Sequence, residues 1–259
     1  MMPGVLVSAF LLSGGGVISL VGAGGKTTLM FRLAKELAAS GAAVLATTTT
    51  KVFMPPPGDI RDVVISLRPE NILKRGRATG GPAVFFAAAK KIPQENKLAG
   101  FAPEAIDEIA ASGVFQWIVV EADGAAQKPL KAPGAHEPVI PAASGWVVGV
   151  CGLDGIGRPL NDTAVFRAER FAVLGGGAAG TPVSAAALAR VLVHPEGVFK
   201  GCPKQAAVIG FLNKADTPRA VSKARDVAAA VRAIKSPLLH RIVVGRLSPI
   251  PEIMEIHQL

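Results

Sequence analysis

The chain has 259 residues, half of them apolar, with 28 Lys and Arg against 19 Asp and Glu and a formal net charge of +9. That length suits one large α/β domain spanning residues 1–259, with two small domains as the alternative, and the composition excludes a long disordered tail. The cations are scattered singly or in pairs and Tyr is absent, so small anionic ligands account for the charge better than nucleic acid does; Cys151 and Cys202 are too few for a disulfide framework and lack metal-site spacing.

Residues 1–25 carry no charged side chain, and the run from Val5 to Leu12 has the look of a signal-peptide core. It lacks a basic start and leads through Ser13 to Gly16 directly into the next apolar run, so a packed N-terminal helix and a cytoplasmic protein are expected. No run of about 20 apolar residues free of glycine and charge occurs, which gives no membrane span.

Gly16 to Gly22 reads as a buried parallel strand, and Thr28 to Ala39 carries helical apolar spacing. Between them lies Gly22-Ala23-Gly24-Gly25-Lys26-Thr27-Thr28, a glycine-rich turn that points backbone N–H groups at phosphate oxygens ahead of a helix N-terminus. Lys26 adds a full charge for the terminal phosphates, and Thr27 is placed to bind Mg²⁺ beside them. A standard Walker A spacing needs glycine at position 20, where the chain has Leu20, so this turn is shorter. It looks like the compact loop of the Mur ligase and folylpolyglutamate synthase group.

Further short apolar runs at 43–47, 62–66, 83–86, 117–121, 146–150, 207–212 and 242–244 read as strands, and 69–75, 103–112, 162–173, 181–193 and 217–235 as helices. Short Pro- and Gly-rich connectors such as Met54 to Gly58 link them. The alternation predicts an α/β, P-loop NTPase-like three-layer sandwich with a mostly parallel central sheet, whose ligands gather at the carboxyl ends of the strands.

Those ends carry the candidate chemistry. The second strand closes on Thr47-Thr48-Thr49-Thr50-Lys51, where a hydroxyl such as Thr49 can ligate Mg²⁺ and Lys51 can neutralise transition-state charge; a solvated strand end is the alternative. Glu121 and Asp123 close the strand at 117–121 and lie two apart on one face, as metal ligands or as a base, with an acidic turn as the alternative. The loop beyond them, with Lys128, Lys131, His136 and Glu137, is either a second-substrate surface or a solvated connection. Asp154 to Gly157 fits Asp-x-x-Gly and competes with Asp123 for the metal-linked role, and Cys151 beside it is either a reactive thiol or a small buried hydrophobe. Finally Asn213-Lys214-Ala215-Asp216 follows a buried strand and matches the Asn-Lys-x-Asp guanine-recognition pattern of GTPases, with an ordinary strand-end turn as the alternative.

Taken together, the segments Gly22 to Thr28, Thr47 to Lys51, Glu121 to Ala125, Pro129 to Pro133, Gly152 to Leu160, His194 to Gly197 and Asn213 to Asp216 resemble the YqeC-like selenium cofactor biosynthesis family, accessory proteins of selenium-dependent molybdenum hydroxylases. The resemblance runs from about residue 16 to 245. It implies a bacterial cytoplasmic P-loop protein that assists maturation of a molybdenum enzyme, with that hydroxylase or its maturation factors as partners. The expected activity is Mg²⁺-dependent hydrolysis of GTP in preference to ATP, with Lys26, Lys51 and Asp123 catalytic, Gly22 to Thr28, Asn213, Lys214 and Asp216 on the nucleotide, and Thr27, Thr49, Glu121 and Asp123 on the metal. Phosphoryl or nucleotidyl transfer to a cofactor precursor, and a non-catalytic nucleotide-gated docking role, are the alternatives.

Overall fold

The structure is a computed structural model that describes residues 4–55, 60, 62–79 and 81–259. In chain order, α1 (Val5–Ala9) leads to β1 (Gly16–Gly22), α2 (Lys26–Ala39), β2 (Ala43–Thr48), β3 (Lys51–Phe53), β4 (Asp62–Ile65), α3 (Pro69–Thr79), β5 (Ala83–Ala88), β6 (Lys90–Ile92), β7 (Lys97–Ala99), α4 (Pro103–Ala111) and β8 (Trp117–Glu121). There follow β9 (Leu130–Lys131), β10 (Ser144–Gly152), β11 (Val165–Phe166), α5 (Ala168–Gly175), α6 (Ala185–Val193), β12 (Ala207–Asn213), α7 (Pro218–Ile234), β13 (Arg241–Arg246) and β14 (Glu252–Gln258).

Nine of the strands form one sheet in the order β14-β13-β12-β10-β1-β8-β2-β5-β4, parallel throughout except for β14. The chain runs outward from β1 to β2 and on to the edge strand β4, returns through β5 to β8, then crosses β1 to build β10, β12 and β13. Strand order therefore reverses around β1, the place where α/β sheets open a crevice at their carboxyl edge. The sheet alternates its apolar side chains between two covered faces. Ile18, Leu20, Val119, Val148 and Val150 pack under α1 and α2. On the opposite face, Val17, Leu45, Phe85 and Ile118 pack under α3 and α4, while Val21, Val147, Val208 and Leu212 pack under α5, α6 and α7. This is the expected three-layer α/β sandwich.

Two helices begin later than their apolar spacing predicts. The segment expected as helix from 162 starts only at Ala168: Asn161 Oδ1 accepts from the backbone N–H and the hydroxyl of Thr163, which folds the chain into a turn, and Val165–Phe166 pairs as a strand with Leu130–Lys131. The segment expected from 181 starts at Ala185 because Pro182 disfavours helix at Thr181 and Ser184 caps the helix, accepting from Ala187 N at 3.0 Å. The start expected at 217 holds, with Thr217 as the cap and Pro218 in the first turn.

Two small sheets stand beside the large one. β3, β7 and β6 form an antiparallel ribbon, and β9 pairs with β11. Neither they nor β14 were legible as strands. The connector expected at 54–58 lies, beyond Pro55, outside the described residues.

Candidate functional site

The loop between β1 and α2 is bent by glycine out of steric necessity. Gly24 has φ +90°, and a Cβ there would stand 2.4 Å from Gly152 N and 2.7 Å from Pro129 O, both backbone atoms that cannot yield. Gly25, with φ +129°, is the N-cap of α2, so Lys26, Thr27 and Thr28 form that helix's first turn and their backbone N–H groups face outward. A pocket of about 240 Å³ opens over them, lined by Gly24 to Thr28, Glu121, Ala125, Gln127, Lys128 and Lys214.

Glu121 and Asp123 reach this loop because β8 lies next to β1, with Glu121 in register with Leu20 on one side and Thr48 on the other. The two carboxylates differ sharply in what holds them. Thr27 Oγ1 donates to Glu121 Oε2 at 2.8 Å at the pocket's edge. Asp123 is deep: its Oδ2 accepts from Gly22 N at 3.1 Å and lies 2.8 Å from Lys131 Nζ, and its Oδ1 is 3.1 Å from Lys26 Nζ. Lys26 is buried, 3.8 Å from Glu121, and donates to Gly22 O at 2.6 Å. Burial by itself favours the neutral amine, but Asp123 and then Glu121 outweigh it and hold the ammonium above its ordinary range. Burial pushes the Glu121 carboxyl up, against the partial offset of Lys26 and the Thr27 hydroxyl.

Lys131 completes a charge network that its sequence position does not disclose. Its ammonium is satisfied by Asp123, Glu137 at 2.7 Å and the Gly124 carbonyl, and it lies over the Phe166 ring. Glu137 also accepts from Arg167 at 2.7 Å. Burial would raise its carboxyl, but Arg167 and Lys131 together bring it down to about 2.

The other expected site residues are distributed unevenly. Asn213, at the end of β12, donates from Nδ2 to Gly24 O at 2.8 Å, so the motif at 213–216 is physically tied to the glycine loop, and its buried Oδ1 has no protein partner. Lys214, held at φ +66°, pairs with Asp154 at 2.8 Å and stands between the loop pocket and a groove of about 350 Å³. Asp154, Asp216, Thr217 and Lys223 line that groove. Asp154 thus faces a lysine at the groove, away from Asp123. Of the threonines that close and follow β2, Thr47, Thr48 and Thr49 donate to the carbonyls of Ala87, Glu121 and Val139, and Thr50 reaches the cleft beyond the loop. Lys51 is exposed and paired with Glu95. Cys151 is buried, with burial and Asp123 pushing its thiol up to about 12, which makes it an inert core residue.

Among the described residues no three His, Cys, Asp or Glu side chains are arranged to hold a metal ion. The donor set nevertheless suits Mg²⁺ beside phosphate, because that ion takes one or two protein oxygens and fills the rest of its octahedron with water and phosphate. Thr27 and Glu121 would hold such an ion. Asp123, engaged by two ammonium groups and a backbone N–H, would act on it through Lys26. No helix among the described residues is long and apolar enough to cross a membrane.

The profile of the family described as YqeC protein matches residues 18–169, which takes in the glycine loop, the Glu121–Asp123 strand end and the Lys131–Arg167 network. The chain is also 38% identical over 198 residues to a protein of Escherichia coli (strain K12) called "Uncharacterized protein YqeC", a match that covers 76% of this chain and 75% of that relative. The chain belongs to the YqeC family.

Proposed function

We propose that the protein is a Mg²⁺-dependent P-loop NTPase of the cytoplasm that prefers GTP to ATP and assists maturation of a selenium-dependent molybdenum hydroxylase. The observation that carries the nucleotide reading is the coupling of Lys26 and Thr27, at the N-terminus of α2, to Glu121 on the adjacent strand, beneath an open pocket lined by loop backbone. The helix N-terminus and the loop amides attract phosphate, and Lys26 exchanges its contact with Gly22 O for a phosphate oxygen while Asp123 keeps its charge balanced. Bound Mg²⁺ supplies charge neutralisation between phosphate oxygens. Glu121, hydrogen-bonded to Thr27 at 2.8 Å, would hold the ion and orient its water shell.

The base preference is supported by the Asn213 tie to Gly24 and by the groove holding Asp216, which adjoins the loop pocket across Lys214. An aspartate there accepts from the ring N–H and exocyclic amine of guanine, a donor pair that adenine lacks. The maturation role rests on the family resemblance.

The test is equilibrium binding of fluorescent GTP, ATP and xanthosine triphosphate with Mg²⁺, alongside turnover. Lys26→Ala and Thr27→Ala are expected to weaken GTP binding by about a hundredfold and tenfold, with melting curves as folding controls. Asp216→Asn should move preference from guanine toward xanthine. Equal GTP and ATP affinities in the wild type, unchanged in that variant, would remove the base assignment while leaving the phosphate loop intact.

A further inference from the structure

Beyond the phosphate pocket lies a larger cleft of about 570 Å³. It shares Thr27, Glu121, Ala125 and Gln127 with the phosphate pocket, so the two spaces are continuous at the end where a terminal phosphate would lie. Its walls come from the two small sheets, from the loop at 124–127, and from Thr27 and Glu121 where it meets the phosphate pocket. In the β3–β7 ribbon, Phe53 is paired with Lys97 and Lys51 with Ala99, while Val52 and Leu98 turn inward to the core. By the twofold alternation of strands, Lys51, Phe53 and Lys97 therefore share the outer face, which borders the cleft. Phe166 of β11 lines the same cleft, under the cations of Lys131 and Arg167.

We propose that this cleft binds a second ligand, a small organic anion with a flat apolar body, alongside the nucleotide. Three features carry the assignment. The volume is that of a site for a small organic molecule. Two aromatic rings, Phe53 and Phe166, line it from separate sheets, and Phe53 remains 49% exposed with the Lys97 ammonium 5.5 Å from its ring centroid, so a flat group and an anion can be met side by side. The ribbon side of the cleft is positive in excess: Lys51 and Lys97 share the single carboxylate of Glu95, while Lys26, Lys131 and Arg167 are matched by Glu121, Asp123 and Glu137. An anion entering the cleft would compete with Glu95 for the two lysines, both of which are partly solvated and free to turn. The site adjoins the nucleotide pocket, with its aromatic and lysine wall outside it, and it stands whether or not the phosphate loop prefers guanine.

Saturation-transfer NMR on the full chain tests it with benzoate and phenyl phosphate as anionic probes, phenol as the neutral one and benzylamine as the cationic one. Benzoate or phenyl phosphate should bind saturably, more tightly than phenol, with benzylamine silent, and binding should persist when GTP and Mg²⁺ are added. Phe53→Ala and Lys97→Glu, both on the exposed ribbon face, should each weaken anion binding by about tenfold and leave fluorescent-nucleotide affinity within about twofold. Absence of saturable anion binding, equal binding of benzylamine, or indifference to both variants would overturn the proposal. A wild-type chain that binds the anions but no nucleotide would overturn the nucleotide reading instead, so the two failures are separable.

Discussion

At the scale of single residues, the site is organised around Asp123, which is the shared counterion of two buried lysines. Lys26 and Lys131 are each almost fully buried beside it, and removing the carboxylate's charge leaves two ammonium groups facing one another. Asp123→Asn should therefore cost about 3 kcal/mol in chemical denaturation, and adding Lys131→Met should recover a large part of it. A variant that loses nucleotide binding with undiminished stability would instead mark Asp123 as a direct ligand. Gly24 makes a second residue-scale prediction. Gly24→Ala meets backbone on two sides and a left-handed φ, so it should destabilise the fold by about 2 kcal/mol or more and close the phosphate pocket. The glycine loop, Lys26, Thr27 and the acids after β8 were legible because each lies at a strand end marked by an apolar run. Lys131 was visible only as one of several loop lysines, since the path that brings it under Asp123 is set by tertiary folding of a proline-stiffened loop. The threonines that close and follow β2 look ligand-facing as a hydroxyl run in sequence, and Thr47 to Thr49 donate to carbonyls of neighbouring chain segments, contacts that only the tertiary fold sets.

At the scale of elements, α1 shows how a five-residue helix too short to be stable alone is held in place. Glu36 of α2 accepts from the amides of Leu6 at 2.9 Å and Val7 at 3.1 Å, standing in for the absent N-cap side chain, and Arg241 Nη1 donates to Ala9 O at 2.8 Å at the other end. Charges of each sign thus meet the helix end that attracts them. Glu36→Ala is expected to cost about 1 to 2 kcal/mol and to accelerate amide exchange at Leu6 and Val7 specifically; uniform exchange changes across α2 would contradict a local clamp. The helix itself was expected from its apolar run, but its clamp was not, because residues 36 and 241 are distant in sequence. The same holds for β14. Its alternating, half-exposed residues Glu252 to Gln258 give a weak strand pattern, and only the edge of β13 makes them a strand.

At the scale of the whole molecule, the large sheet supplies the glycine loop and the two small sheets build a cleft beside it, with Lys131 joining Asp123 at the end of β8 to Glu137 and Arg167 of the β9–β11 part. Glu137 joins the β9 loop to Arg167 beyond β11, and its carboxyl is held down to about 2, burial opposing and the two cations prevailing. A folded-state value below the unfolded one means that the unfolded chain binds the proton more readily. The stabilisation is therefore complete above the ordinary glutamate range and is lost as pH falls from about 4.5 toward about 2. Between pH 6 and pH 3 the wild type should lose roughly 2 kcal/mol more stability than Glu137→Gln does. Glu121 works in the opposite direction, since its raised carboxyl releases strain when protonated, so the difference between the two proteins, and not the total acid sensitivity, isolates Glu137. Urea denaturation at the two pH values supplies that difference. Parallel pH slopes for wild type and variant would show that the network does not bind the β9 loop to the rest of the fold.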